Sequence, residues 1–502
     1  MRSFRYIKIK KIPPLAWLAV LTKGEETISV TCGEAVITTE TWFTAGVWDG
    51  ELAKGEMDTC TTSCCTGMKL NVCGGGIKIF TPTHLQESVF AIRVGNKLYV
   101  SNSLTFALVS SKSELQTSYK QYTFDMGSIL YGLTSKIVKM SPLANGRYLR
   151  YIRCCIAEID DELNIHESIR HTGLSFRDFN DYKGKVLEIL KAIKENATDT
   201  MRKVPYGMIG TISRGYDAPS ACVFAKEIGC DEVFTFVDKP DDDGTEVARC
   251  LGYKIIHRVN SQKYINNENF LEAEAMASGE GGATFIAFED LYKGKLLFIG
   301  NRGDSVYERL HKNANNYFDF HVGNSLSQTS LIQYENMLKN NSITISIPLI
   351  GGDSWLDLER ISNSDEMKKY SLGDNYDRPI ARRLLEDVGV RREMFGQRKF
   401  GAGISYSLDT LSRIRKKMSR KSYTDLLTYK RNFPKHFITD CLYKIKFYWF
   451  NRHIYISYIS NKMHIKYNAK NLDEKIGMMS NPHSTMMLCW GVDKMKDRYI
   501  IQ

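Results

Sequence analysis

The residues best suited to chemistry lie in Ile212-Ser213-Arg214-Gly215-Tyr216-Asp217-Ala218-Pro219-Ser220, where a short apolar run gives way to a helical one. Gly215 permits a tight turn and close backbone approach, and Pro219 suits a first helical turn, where its missing N–H costs nothing. The free N–H groups at a helix start and the helix dipole favour an anion, with Ser213 and Ser220 as hydroxyl donors. Together these residues describe a phosphate site. Asp217 has two compatible readings there: helix N-cap, or ligand for a Mg²⁺ that bridges phosphates.

Such a turn needs a strand before it and a helix after it, and the surrounding pattern supplies both. Apolar runs at Tyr206 to Ile212, Glu232 to Val237, Lys254 to Val259 and Leu296 to Ile299 alternate with helical stretches ending near Ile228 and Leu251. That alternation predicts βαβ units and a mainly parallel, doubly wound sheet, whose ligands sit beyond the carboxyl ends of its strands. Phe179, Tyr182, Val186, Ile189, Leu190 and Ile193 recur at helical spacing behind a Ser175-x-x-Asp178 cap and open this domain. Residues 28 to 155 read instead as strands and turns, with Gly95-Asn96 as a two-residue hairpin and a second strand-turn-strand from Ser135 to Tyr151. The first third is therefore expected to be a β-rich sandwich, and the chain beyond Met367 helical and basic.

With 502 residues, 43% hydrophobic and 25% charged, the chain has the length and composition of a multi-domain globular protein. No uncharged apolar run of membrane-spanning length occurs. The opening Met1 to Leu21 has basic and then apolar residues but no small-x-small cleavage site after them, so it is expected to be a basic lead-in to a buried strand. Twelve scattered Cys fit a reducing cytoplasm, and Cys60, Cys64, Cys65 and Cys73 lack paired C-x-x-C spacing, which favours buried thiols over zinc. The net charge of +11 is concentrated: residues 391–470 hold 19 Lys or Arg against 4 Asp or Glu. Such a face suits nucleic acid, phosphate-rich ligands or an anionic membrane surface; no nucleic-acid module signature accompanies it, and a solvated face is the plainer reading.

Ser213-Arg214-Gly215-Tyr216-Asp217 resembles the Ser-Gly-Gly-x-Asp-Ser loop of the PP-loop ATP pyrophosphatases, in particular the synthetase domain of asparagine synthetases. Gly300-Asn301-Arg302-Gly303-Asp304-Ser305 is similar to that family's second loop, Gln397-Arg398-Lys399-Phe400 to its late Arg-x-Lys-x-Phe segment, and Tyr376 to Arg383 to a segment of asparagine synthetase-like proteins. The resemblance spans most of residues 175–430. It implies an Ntn-type glutaminase-like sandwich over 1–170, a PP-loop synthetase domain over 171–434 and a basic, aromatic extension over 435–502 that packs on the synthetase domain. ATP would lie on Ile212, Ser213, Arg214, Gly215, Asp217, Ser220, Val237, Gly300, Asn301 and Gly303. Asp217 and Asp304 would hold Mg²⁺, and Lys399 and Asp304 would serve the reacting centre. Val47-Trp48-Asp49-Gly50 and Leu98 to Asn102 have the flavour of the glutaminase strands.

The implied reaction is attack of a substrate carboxylate on the α-phosphate of ATP, releasing pyrophosphate, then displacement of AMP by ammonia or an amine to leave an amide. Several positions depart from the family pattern. Arg2 stands where glutaminases expose a nucleophilic cysteine, so the first domain is expected to be inactive. Arg214 and Ala218 replace a glycine and a serine, and Asn301 replaces a carboxylate. Arg214 would either clash with phosphates or clamp them, and its guanidinium fork favours clamping. Arg378, Arg382 and Arg383 either clamp an anionic substrate or form ion pairs with Asp377 and Glu386. Two other readings stay open: a non-catalytic nucleotide-binding remnant, and a PP-loop enzyme acting on tRNA. A homodimer is compatible with all of them.

Overall fold

The computed structural model describes residues 2–71, 76–83, 88–128, 137–238, 242–266, 268–279, 283–309, 334–373, 376–396, 406, 411–462 and 481–500. Its N-terminal part is built from thirteen described strands: β1 (Ser3–Lys8), β2 (Trp17–Thr22), β3 (Thr27–Cys32), β4 (Ile37–Thr38), β5 (Trp42–Trp48), β6 (Ser63–Leu70), β7 (Ile77–Phe80), β8 (Val89–Val94), β9 (Lys97–Ser101), β10 (Met140–Pro142), β11 (Tyr148–Ile152), β12 (Cys155–Ile159) and β13 (Ile165–Ile169). They form one sheet ordered β1-β3-β2-β9-β8-β11-β10 and another ordered β13-β12-β7-β6-β5-β4. Trp17 of the first meets Phe43 of the second edge to face at 5.1 Å, and its indole N–H donates to Thr66 at 3.0 Å. The apolar β2 is almost wholly buried, whereas the basic β1 lies on the sheet edge, where Arg5 and Lys8 are exposed. Edge charges of this kind discourage pairing with other chains. The Gly95-Asn96 hairpin joins β8 and β9, with Gly95 at the left-handed φ of 59° that such a turn needs.

One buried carboxylate makes this part of the molecule sensitive to pH. Asp125 accepts hydrogen bonds from the Tyr119 hydroxyl at 2.6 Å and the Ser141 hydroxyl at 2.5 Å. Burial pushes it up to about 6, against the lowering effects of those hydroxyls and Arg153. An unfolded Asp ionises near pH 4, so between about pH 4 and 6 the folded state holds the extra proton and stability falls as pH rises, levelling above that. Asp125→Asn removes Asp125's share of this dependence and leaves that of Asp49, which burial also pushes up to about 6. Urea unfolding is expected to show wild type losing about 3 kcal/mol relative to the variant between pH 4 and 7.

The second part is organised by a parallel sheet of β14 (Gly207–Thr211), β15 (Glu232–Phe236), β16 (Ile255–Val259), β17 (Lys295–Ile299) and β18 (Ile343–Ser346). The order is β16-β15-β14-β17-β18, and every neighbouring pair is parallel. Alternate side chains enter different cores: Val233, Leu296, Phe298 and Ile345 join the large one with Phe224, while Ile209, Phe234 and Leu297 join Tyr292 and Met337. The sheet is thus covered on both faces, as all-parallel sheets require. The strand order reverses between β14 and β17, which is the topological switch point of an open α/β sheet. Helix Phe179–Ala197 is capped by Asp178, which accepts from the Asp181 N–H at 2.9 Å. The expected Ser175 cap is corrected by three residues.

The C-terminal end ties the two parts together. Helix Ser484–Met495 packs on Leu271–Ala277 so closely that a Cβ on Gly491 would stand 2.5 Å from the Ala277 nitrogen, and Thr485 donates to the Tyr119 carbonyl at 2.7 Å. Tyr499 and Ser103 both donate at 2.6 Å to the buried carboxylate of Glu335. The extension therefore contacts the N-terminal part as well as the parallel-sheet part.

Candidate functional site

The switch point brings together the two loops that the sequence marks. Ile212 continues β14, its N–H donating to the Phe234 carbonyl at 3.0 Å, and Ser213 Oγ accepts from the Gly215 N–H at 3.2 Å. Helix Asp217–Glu227 follows. The loop after β17 lies directly against it. A Cβ on Gly300 would stand 2.1 Å from the Asp217 carbonyl carbon and oxygen, and one on Gly303 would stand 2.7 Å from Asp217 Oδ1. Glycine is therefore required for space at position 300, where the close atoms are backbone, whereas at position 303 a Cβ would press on the Asp217 side chain. Ser346, at the end of β18, donates to the Asn301 carbonyl at 2.6 Å, and Arg378 Nε donates to the Asp304 carbonyl at 2.9 Å. Asn301 and Asp304 are half-buried.

Asp217 and Asp304 act on one neighbour. Burial raises the Tyr376 phenol, and Asp217 and Asp304 raise it further while Arg378 opposes them. Tyr307 is raised by burial and by Tyr182, with Asp217 adding to the effect. Two carboxylates beside a turn rich in backbone N–H groups form a donor set that suits Mg²⁺, which keeps several waters and is typically bound by one or two carboxylates plus phosphate oxygens. Among the described residues no group of three or more His, Cys, Asp or Glu is placed to hold a metal. The residues thus fit a phosphate-borne Mg²⁺ better than a caged structural ion such as zinc.

Three side chains differ from their sequence-based roles. The cap of helix Asp217–Glu227 is Tyr216, and Asp217 opens the first turn, so the N-cap reading of Asp217 is corrected. Ser220 is fully buried and its hydroxyl donates to the Asp217 carbonyl at 2.9 Å, which spends its one proton inside the helix. Arg214 Nε donates to the Met394 carbonyl at 3.2 Å, and the Arg214 carbonyl accepts from the Gly396 N–H at 2.7 Å. Arg214 is thereby anchored to the segment that leads into Gln397. Val237 extends β15, its N–H donating to the Val259 carbonyl at 3.0 Å, and is half-buried. Lys399 and the rest of 397–400 lie outside the described residues.

Two contributors escape a reading by spacing. A Cβ on Gly244 would stand 2.7 Å from the Ser213 nitrogen, so the chain after β15 also presses on the loop. Tyr216 is the other. Its ring lies 5.1 Å from the fully buried Arg382 guanidinium, which donates to the Tyr216 hydroxyl and to Glu386 at 3.3 Å and also faces the Phe395 ring at 5.2 Å. Arg383 pairs with Glu366 and Asp387 and covers Phe179, and Arg378 braces the second loop. These contacts make the arginines part of the loop supports. Tyr216→Phe removes an acceptor from a buried guanidinium and is expected to cost about 1.5–3 kcal/mol, read as a lower urea midpoint at unchanged slope.

In the N-terminal part, Asn102 accepts from the Trp17 N–H at 2.9 Å and donates to the Leu15 carbonyl at 2.9 Å, so its amide holds the start of β2. The nearby cavity, bounded by Leu15, Gly46, Cys64, Thr66, Asn102 and Leu338, measures about 30 Å³. That is the volume share of one water. Arg2 reaches Asp161 at 2.6 Å, and Cys32, the first cysteine, is buried at the end of β3 with its thiol pushed up to about 11 by burial. A buried, protonated thiol is a poor nucleophile. Compared with known proteins, the chain matches no protein-family model and has no significant match to a curated protein.

Proposed function

We propose that the protein is an ATP-dependent amide-forming ligase of the asparagine synthetase-like kind, with a PP-loop synthetase part and a glutaminase-like part. The observation that carries this reading is the contact between two distant loops at the sheet's switch point: Gly300 and Gly303 pack on Asp217, with Asp304 one residue further on. Ligands of open α/β sheets bind at that place, and the N–H groups at the start of helix Asp217–Glu227 suit a polyphosphate. Mg²⁺, when bound through Asp217 and Asp304, supplies charge neutralisation on the phosphates. The chain's own contribution is to offer the N–H groups at the start of helix Asp217–Glu227 to the phosphates and to keep the two half-buried aspartates beside Tyr376, with Arg378 bracing the second loop. Lys399 would then neutralise charge on the reacting carboxylate and phosphate. ATP–pyrophosphate exchange with a panel of carboxylic acids tests this: exchange with at least one acid, abolished by EDTA, is expected. No exchange beside a competent control enzyme contradicts it.

The Ser220 hydroxyl's bond to the Asp217 carbonyl favours a second reading, in which the pocket holds a nucleotide without turning it over. Calorimetry separates the two. Nucleotide binding that is unchanged in Lys399→Ala, with no exchange in wild type, supports the second.

A further inference from the structure

Helix Phe437–Lys462 turns apolar side chains toward solvent. Ile438, Leu442, Ile445, Trp449, Ile456 and Ile459 recur at intervals of four, three, four, seven and three residues, which aligns them on one helix face. Ile438 is 74% exposed, Leu442 57%, Ile445 56% and Trp449 55%. The inward side is carried by Tyr443 and Phe447, which are half-buried, and the Tyr443 hydroxyl donates to Gln121 at 3.0 Å. The helix is therefore apolar on two sides, one against the protein and one open. Exposed apolar surface of this kind, here broken by the exposed Arg452 between Trp449 and Ile456, marks a docking face.

Beside the first turns of that helix lies a cavity of about 280 Å³ bounded by Lys120, Lys430, Lys435, Lys444, Asp440 and His483. Lys120 is buried and pairs with Asp440 at 2.9 Å, so the single carboxylate in the cavity wall is already matched. Lys430, Lys435 and Lys444 have no carboxylate partner among the described residues. Their convergence is felt by His483, whose imidazole is held down to about 4 by burial first and then by Lys430, Lys444 and Lys120, against Asp440.

We propose that this face docks on an anionic lipid bilayer, with the Ile438-to-Ile459 stripe lying in the acyl boundary and the lysine cavity receiving a lipid phosphate. The charge decides the occupant: a second copy would set these lysines against one another, whereas an anionic leaflet attracts each of them. The exposed Tyr448, Trp449 and Tyr455 are residue types that settle at headgroup depth, and Lys444 and Lys446 flank the stripe with stems long enough to reach the headgroups. The helix would lie in the plane of the interface. No helix among the described residues is long and apolar enough to cross a membrane. The proposal is independent of the ligase reading.

Co-sedimentation of the full chain with sucrose-loaded vesicles tests it, comparing pure phosphatidylcholine with a roughly 7:3 mixture of phosphatidylcholine and phosphatidylglycerol at physiological salt. Pelleting with the anionic vesicles alone is expected. Trp449→Asp should weaken partition about tenfold or more. Lys430→Ala with Lys435→Ala should weaken it about 25-fold, since each basic residue near the surface contributes about fivefold. All three side chains are exposed, so thermal melting should match wild type in both variants. Absence of pelleting, equal pelleting with neutral vesicles, a doubled mass in light scattering that Ile445→Asp abolishes, or tight RNA binding that Trp449→Asp leaves intact without vesicle binding would each overturn it.

Discussion

Replacing Gly300 with alanine is expected to abolish nucleotide binding and to lower stability by about 3 kcal/mol, at the upper end of overpacking costs. The added Cβ would fall 2.1 Å from the carbonyl carbon and oxygen of Asp217 and 2.4 Å from the nitrogen of Ala218. Those are backbone atoms at the start of a helix, so no rotamer change relieves the clash, and the two loops must separate. Separation moves Asp217 away from Asp304 and opens the crevice. Gly184 supplies the control, because a Cβ there meets nothing within 4 Å and the residue lies inside helix Phe179–Ala197. Gly184→Ala should stabilise by about 0.5–1 kcal/mol, the ordinary gain for that exchange in a helix. Urea denaturation of both variants, with calorimetric titration of Mg·ATP, checks the contrast. Equal small effects from the two substitutions would show that the loops are not in close contact.

Lys399→Ala is expected to slow carboxylate-dependent ATP–pyrophosphate exchange by about two to three decades, equivalent to about 3–4 kcal/mol of lost charge stabilisation. Mg·ATP affinity should change only a few-fold, because amides and metal carry most ground-state phosphate binding under this reading. Gly396, three residues before Lys399, is bonded to the Arg214 carbonyl, and a Cβ on it would stand 2.4 Å from the Tyr216 ring. The segment leading to this lysine is therefore anchored to the first loop. An exchange rate within twofold of wild type would remove Lys399 from the reacting centre.

Much of the frame was readable from pattern alone. The runs at 206–212, 232–237, 254–259 and 296–299 became β14 to β17, because apolar runs of strand length between helical stretches have few other solutions in an α/β fold. Gly95-Asn96 gave its hairpin for the same local reason. What escaped depends on residues far apart in the chain. Tyr216 caps its helix while its hydroxyl is held by Arg382, 166 positions away, and no local rule favours tyrosine at a cap. Ser220 looked like a phosphate donor by position, but burial turned its hydroxyl back onto Asp217. The edge strand β18 follows a long stretch whose pattern gave no alternation to count.

The most direct measurement is a crystal structure of the full chain soaked with α,β-methylene ATP and Mg²⁺. The triphosphate is expected against the N–H groups of residues 213–218, with the metal facing Asp217 and Asp304. Nucleotide found elsewhere on the molecule, or none bound at millimolar concentration while the two loops keep their present contact, would contradict the proposed site.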